Sequence, residues 1–407
     1  MRNNKWEGLL ILSRQKRTCF LFHKLRDTAV KLINFQILTI TDMVLLAALA
    51  GVFIIQMYYL LGVYLKLALH KKEVFNPDSH HVTIMLPLRN EEERIREMMD
   101  KFTELPFDNY QVMVINEVSE DNTLEILTVL AETNARIKVT SLSQETRFME
   151  KQAINIGLKG AQSPWIVQLT PTTSTISQEW LTKLTGLIDK DTDAVIAYTN
   201  VELGKGYRNL LCRMERFTQF MVSGSWILAG MPFVFSETNV LFRKSMYFDT
   251  LGFRQKLNRN FANLELIFNE NFTNKRVKIS THPDLSVREQ VEDDRGDHLK
   301  LIKKGVQIRQ SLPWSKKFIL FLDDFTKIAL PALAITLVII HMEYWLTFAL
   351  LLLIYYMVLL IIVKILLNRL KERKIFVSSF LYILIKPIIN WWYLWSTYLI
   401  HRRNRWS

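Results

Sequence analysis

VTIMLPLRNEEERI, residues 82–95, decides the fold. Its apolar run, residues 82–86, reads as a buried strand. The stretch 91–102 reads as the helix that follows, with acids in the first turn where the helix dipole favours negative charge. Working outward, the same alternation recurs, with strands at 110–115, 137–140 and 165–169 and helices at 122–131 and 151–161. Strand and helix repeating at this spacing predict an α/β domain, residues 80–311, with a mostly parallel, Rossmann-like sheet and helices on both faces. Ligands of such sheets sit beyond the carboxyl ends of the strands, so the residues after each strand are the ones to inspect.

Around this domain the chain becomes apolar. Aromatic residues make up 12% and charged residues 22% of 407 positions, greasier than an ordinary soluble protein of that charge. Residues 42–69 hold an apolar run with no charge between Asp42 and Lys66, long enough to cross ~30 Å of hydrocarbon as a helix. Residues 318–366 read as an interfacial helix and a transmembrane hairpin, with Pro331 near the start of the first arm. Residues 367–407 combine a basic collar (Arg369, Lys371, Arg373, Lys374) with an aromatic stretch broken by Lys386 and Pro387. That stretch suits an interfacial helix or a re-entrant hairpin. The positive-inside rule puts the collar and the α/β domain in the cytoplasm, and the expected location is a bacterial-type inner membrane. The basic extension, residues 1–41, conflicts with a single first span, because residues 1–36 carry eight Lys and Arg. Either residues 21–38 form an amphipathic membrane element or the chain starts at Met43, the reading we prefer.

Lys and Arg exceed Asp and Glu by 13, and the excess clusters beside apolar stretches, which favours a membrane surface as partner. No interleaved basic and aromatic motif of an RNA reader is present, so nucleic acid is not an expected partner. Cys19 and Cys212 stand far apart with no Cys/His cluster, which supports neither a disulfide framework nor a zinc site.

Four fragments, in order and spacing, carry a resemblance: VTIMLPLRNEEERI, VINEVSEDNT, KQAINIGLKGAQSPWIVQLTPTTS and ETNVLFRKSMYFDTLGF. Together they resemble glycosyltransferase family 2, of the GT-A fold and membrane-anchored type, which moves a sugar from a nucleotide donor to an acceptor. The resemblance implies nucleotide-sugar contacts at Pro87, Asn90, Glu91, Asn116, Glu117, Lys151, Asn239 and Arg243. It also implies stations at which this chain has lost its acids. Where the family writes Asp-x-Asp to hold Mg2+ or Mn2+ against the leaving diphosphate, this chain has Thr170-Pro171-Thr172, whose hydroxyls bring no charge. Where the family places paired acids after the second strand, Asn116 and Glu117 stand. The Glu-Asp pair that supplies the general base has become Ala262-Asn263, with Glu265 nearby, and an amide does not take up a proton as a carboxylate does. The Gln-x-x-Arg-Trp motif of processive members falls on residues 297–301, where only the charge of Lys300 survives.

These losses point to a pseudo-glycosyltransferase of cell-envelope glycan or glycolipid synthesis, with no cofactor, serving a protein partner as scaffold or regulator. The alternative is an active, metal-independent transferase that takes a nucleotide sugar and a lipid-linked acceptor, with cations such as Arg147, Lys151, Arg243 and Lys300 stabilising the leaving group; Mg2+ or Mn2+ would enter only with an enzyme reading. Asn155 and Gly157 read as helix packing, and Glu292, Asp293 and Asp294 as a solvated acidic loop.

Overall fold

The computed structural model describes residues 39–71, 73–76, 80–273, 276–290 and 297–403, with side chains up to 396. The basic extension before Thr39 and the acidic loop at Glu292–Asp294 lie outside the described residues.

The α/β domain forms around a seven-stranded sheet of order β3-β2-β1-β4-β8-β6-β9. Its strands are β1 (Val82–Leu88), β2 (Tyr110–Asn116), β3 (Ile137–Ser141), β4 (Trp165–Gln168), β6 (Ala194–Ile196), β8 (Val240–Arg243) and β9 (Val277–Ile279). The first four run parallel, while β8 is antiparallel to both β4 and β6. A small second sheet joins β5 (Thr173–Thr175), β10 (Val287–Glu289) and β7 (Thr199–Val201) in the order β5-β10-β7. Strands β1 and β2 are buried along almost their whole length, as expected of parallel strands covered on both faces.

Helices α1 (Ile40–Ala68), α2 (Ile95–Thr103), α3 (Thr123–Thr133), α4 (Met149–Gly160), α5 (Trp180–Thr185) and α6 (Tyr207–Leu228) come first in the chain. They are followed by α7 (Ser245–Asp249), α8 (Leu264–Asn271), α9 (Asp297–Ser311), α10 (Trp314–Ile340), α11 (Trp345–Arg369) and α12 (Phe376–Arg403). Helix α2 starts at Ile95 rather than Glu91. The backbone N–H groups of Glu91 and Glu92 are taken by Thr123 Oγ1 at 2.8 Å and by an Asp121 carboxylate oxygen at 3.2 Å, which holds 91–92 in a loop. Gly157 lies where α4 crosses the sheet, and a Cβ there would come within 2.7 Å of Ile115 Cδ1, so the close approach requires glycine.

Two helices, Ile40–Ala68 and Met342–Arg369, are long and apolar enough to cross a membrane. Helix α10, the expected first arm of the hairpin, carries Lys316, Lys317, Asp323, Asp324 and Lys327 and runs unbroken through Pro331. Helix α12 is also continuous through Pro387 as one 28-residue helix, which leaves no re-entrant turn at that proline and agrees in shape with the other expectation, a single helix. The first span contains a π-helical segment, Tyr58–Tyr64, that nothing in the sequence signals.

The described residues form two compact units. In one, residues 39–54 with 329–354, Asp42 pairs with His341 at 3.0 Å. The other, running from residue 55 to 328 and from 355 to 403, contains the α/β domain and the site residues.

Candidate functional site

The loops that leave β1 and β2 are laced together beyond the sheet. Register places Leu88 beside Asn116 and Asn116 beside Ser141, so the loop residues emerge side by side. Pro87 closes the β1–β4 ladder: its last bond is Leu169 N to Met85 O, and the next would need the N–H that proline lacks. Asn90, in the left-handed region at φ 55°, donates its N–H to Ser119 Oγ at 3.0 Å and accepts from Glu120 N at 2.9 Å. Glu91 pairs with Arg94 at 3.2 Å. Arg89 bridges Glu120 at 2.7 Å and Glu145. Asn116, fully buried, accepts from the Ser119 hydroxyl at 2.5 Å and donates to Ser141 Oγ at 3.4 Å. Its amide is therefore spent on the loop. Val118 is held at φ 54°, a strained conformation for a β-branched residue.

Glu117 is buried beside this turn, and burial, reinforced by the nearby Glu150 carboxylate, pushes its pKa up to about 7. A carboxyl whose folded pKa is raised costs stability as pH climbs from its unfolded value near 4.5 to about 7. Glu117→Gln is therefore expected to be neutral at pH 4.5 and stabilising by about 1–3 kcal/mol at pH 8. Melting curves of the two proteins at both pH values check this, and equal offsets at the two pH values would contradict it.

At the end of β4, Thr170 and Thr172 hydroxyls lie 2.9 Å apart, and Thr170 Oγ1 donates to Glu289 Oε1 at 3.0 Å. Glu289 is 3% exposed and comes from β10, 119 positions further along the chain. Its other oxygen accepts from Arg216 of α6 at 2.9 Å, and Arg216 also reaches Ser236 Oγ at 3.1 Å. Among the described residues, the two threonines thus meet one carboxylate, and Arg216 pairs with it.

The third group surrounds Asn263. Its Nδ2 donates to Glu150 at 2.9 Å and to Glu237 at 3.4 Å, and its Oδ1 accepts from Lys151 Nζ at 3.2 Å. Lys151 spends its other donors on Arg259 O and Ala262 O, at 2.9 and 2.8 Å. Glu265 is wholly buried and pairs with Lys304 of α9 at 2.7 Å. Burial raises its pKa, but Lys304 outweighs that and holds it below the usual carboxylate range. Glu237 accepts from Leu264 N at 2.7 Å, and burial, then the neighbouring Glu265, pushes its pKa up to about 8.

Residues 83–248 match the model of the family described as glycosyl transferase family 2. This chain carries a family 2 glycosyltransferase domain. Among solved structures, the mannosyltransferase PcManGT from Pyrobaculum calidifontis, in complex with GDP-Man and Mn2+, has a similar fold at 19% identity and a TM-score of 0.51. The match covers 86% of this chain and 99% of that one. S. aureus TarS 1–349 in complex with UDP matches at 14% identity and a TM-score of 0.43, over 78% of this chain and 92% of its own. No curated protein matches the chain. The mostly parallel sheet accordingly has the GT-A fold.

A divalent ion at the Asp-x-Asp station of the glycosyltransferase domain would need hard anionic oxygens. Among the described residues those beside it do not fit it: two hydroxyls and one carboxylate are bonded to one another and to Arg216. Arg216 Nε is a buried donor without a partner among the described residues, and such an atom calls for an acceptor, not a cation. Among the described residues no three His, Cys, Asp or Glu side chains converge on a metal position.

The fold brings Lys151, Asn263, Glu265 and Glu237 together but separates two residues expected beside the donor. Arg243 lies at the opposite end of β4, opposite Trp165, whose ring its guanidinium covers at 4.8 Å, and it donates to Thr192 O at 2.9 Å. Asn239 is at the site end of β8 but wholly buried, at φ 60°, donating to Tyr198 O and Leu285 O and accepting from Trp180 Nε1 at 2.8–3.0 Å. Asn239→Ala leaves those three groups unpaired at a positive φ and is expected to cost about 2–4 kcal/mol in thermal unfolding; a loss below 0.5 kcal/mol would contradict the buried joint. Lys300 is exposed and paired with Asp297, whereas Lys304, one turn later, reaches Glu265. Sequence reading missed Glu289, Arg216 and Lys304. Only Lys304 left a signal, its position one helical turn after Lys300.

Proposed function

We propose that this chain is a membrane-bound glycosyltransferase-like protein of cell-envelope glycan or glycolipid synthesis. It works as a scaffold or regulator for a partner protein rather than as a metal-dependent transferase. The observation that carries this reading is the Thr170–Glu289–Arg216 chain, in which the position for a divalent ion and a departing diphosphate is filled by side chains that satisfy one another. The base station supports it in the same way, since Asn263 and Lys151 are saturated by internal partners. The two apolar helices support insertion in a membrane, and the Lys and Arg that follow the second favour an inner membrane with the domain on the cytoplasmic side.

One observation favours the second reading, an active metal-independent transferase. Glu237 lies 3.4 Å from Asn263 Nδ2, and burial, then Glu265, pushes its pKa up, so it holds a proton near neutral pH that it could exchange with a substrate. Calorimetry of the detergent-solubilised chain with UDP, GDP and their sugar conjugates, with and without Mn2+, separates the two. The scaffold reading expects no metal-dependent heat up to millimolar nucleotide and recovery of a partner transferase on purification from the native membrane. Micromolar nucleotide binding with sugar transfer that Glu237→Gln abolishes would replace it.

A further inference from the structure

A cavity of about 200 Å3 opens between α9, α10 and α12. Its walls are almost wholly apolar, with Val306, Leu320, Phe321, Trp391 and Leu394 among them. Phe321 and Trp391 stack at 5.8 Å with rings 4° apart. The acid and the guanidinium that reach this cavity neutralise each other, Arg309 donating to Asp324 at 2.5 Å while Asn390 donates to the same carboxylate at 3.0 Å. The remaining cation, Lys317, makes no hydrogen bond or ion pair through its ammonium among the described residues. The cavity therefore offers apolar walls and one unspent positive charge.

The surface beside it indicates where such a ligand comes from. Along α10, Trp314, Phe318, Phe321 and Phe325 recur at spacings of four, three and four and are 43–78% exposed, one aromatic stripe on one helix face. On α12, Trp392 and Trp395 are 73% and 64% exposed. Exposed aromatics beside lysines are the pattern of a membrane–water interface, where rings lie at headgroup depth and cations meet lipid phosphates.

We propose that this cavity binds one anionic membrane phospholipid, with a hydrocarbon chain packed against Phe321, Trp391 and Leu394 and the phosphate paired with Lys317. The inference rests on the membrane reading and not on the silence of the sugar site; flotation of the chain with liposomes tests the membrane reading separately. The experiment is native mass spectrometry of the full chain released from nanodiscs of phosphatidylglycerol or of phosphatidylcholine. Wild type is expected to retain one phosphatidylglycerol at least five-fold more often than phosphatidylcholine. Leu394→Trp, which fills the cavity from a partly exposed position, is expected to cut that retention at least five-fold. Lys317→Glu, at a position whose ammonium pairs with nothing among the described residues, is expected to fold normally and abolish the preference between the two lipids. Equal retention of both lipids by wild type, or an unchanged preference in Lys317→Glu, overturns the proposal even if Leu394→Trp fails to fold.

Discussion

Glu372→Ala is expected to destabilise the chain by about 3–5 kcal/mol, because it leaves buried cations without their counter-ion. Glu372 sits in the short link between α11 and α12, yet its side chain is only 1% exposed. One oxygen accepts from Arg213 of α6 at 2.7 Å; the other accepts from Asn200 of β7 at 2.8 Å and from Arg288 of β10. The carboxylate therefore docks the basic collar onto the glycosyltransferase domain. Burial acts to raise its pKa, but Arg288 and Arg213 outweigh that and hold it below 4.5. A depressed carboxylate contributes stability that is complete above the unfolded pKa and is lost as pH falls through the folded one. The gap between wild type and Glu372→Ala should accordingly be full at pH 7 and shrink below about pH 4.5. Denaturant melts in detergent measure it, and a gap under 1 kcal/mol at pH 7 would show that the contact does not dock the collar.

Lys386→Met carries the second large effect, again about 3–5 kcal/mol. Lys386 of α12 reaches both oxygens of Glu215 at 2.6 Å, and Glu215, wholly buried on α6, also accepts from Tyr382 at 2.6 Å and Gln219 at 2.7 Å. Burial opposes ionisation of Glu215, and Lys386 more than compensates. With the lysine gone, the carboxyl is left buried and its folded pKa rises, so the variant should become relatively more stable as pH falls. The double change Glu215→Gln with Lys386→Met removes both charges and is expected to recover most of the loss. A double variant no better than Lys386→Met alone would mean that the lysine acts through its stem rather than its charge.

The parallel half of the sheet was legible because its strands are short apolar runs punctuated by helix starts, whereas strand order and register came only from the structure. Helix boundaries were less so. The backbone of Glu91 and Glu92 is captured by Thr123 and Asp121, a tertiary contact that no local pattern announces. Pro387 was read as a break, yet α12 continues through it. At the site, Thr170, Thr172 and Asn263 stand where the resemblance leads one to expect acids, and that much is visible in the letters alone. Their partners are not: Glu289 meets Thr170 from 119 positions away, and Arg216 arrives from a helix without a motif. Arg243, expected beside the donor, is carried by strand direction to the far end of β4, opposite Trp165, which the letters alone do not show.

Thr170, Thr172, Glu289 and Arg216 satisfy one another in the glycosyltransferase domain, and the proposed function expects no divalent ion to bind beside them. The most direct measurement is the electron paramagnetic resonance of Mn2+ titrated into the solubilised chain with excess UDP or GDP. The account predicts the spectrum of the protein-free Mn2+–nucleotide mixture at every protein concentration. A saturable loss of that signal, abolished by Glu289→Gln, would contradict it and return the domain to the metal-dependent transferases.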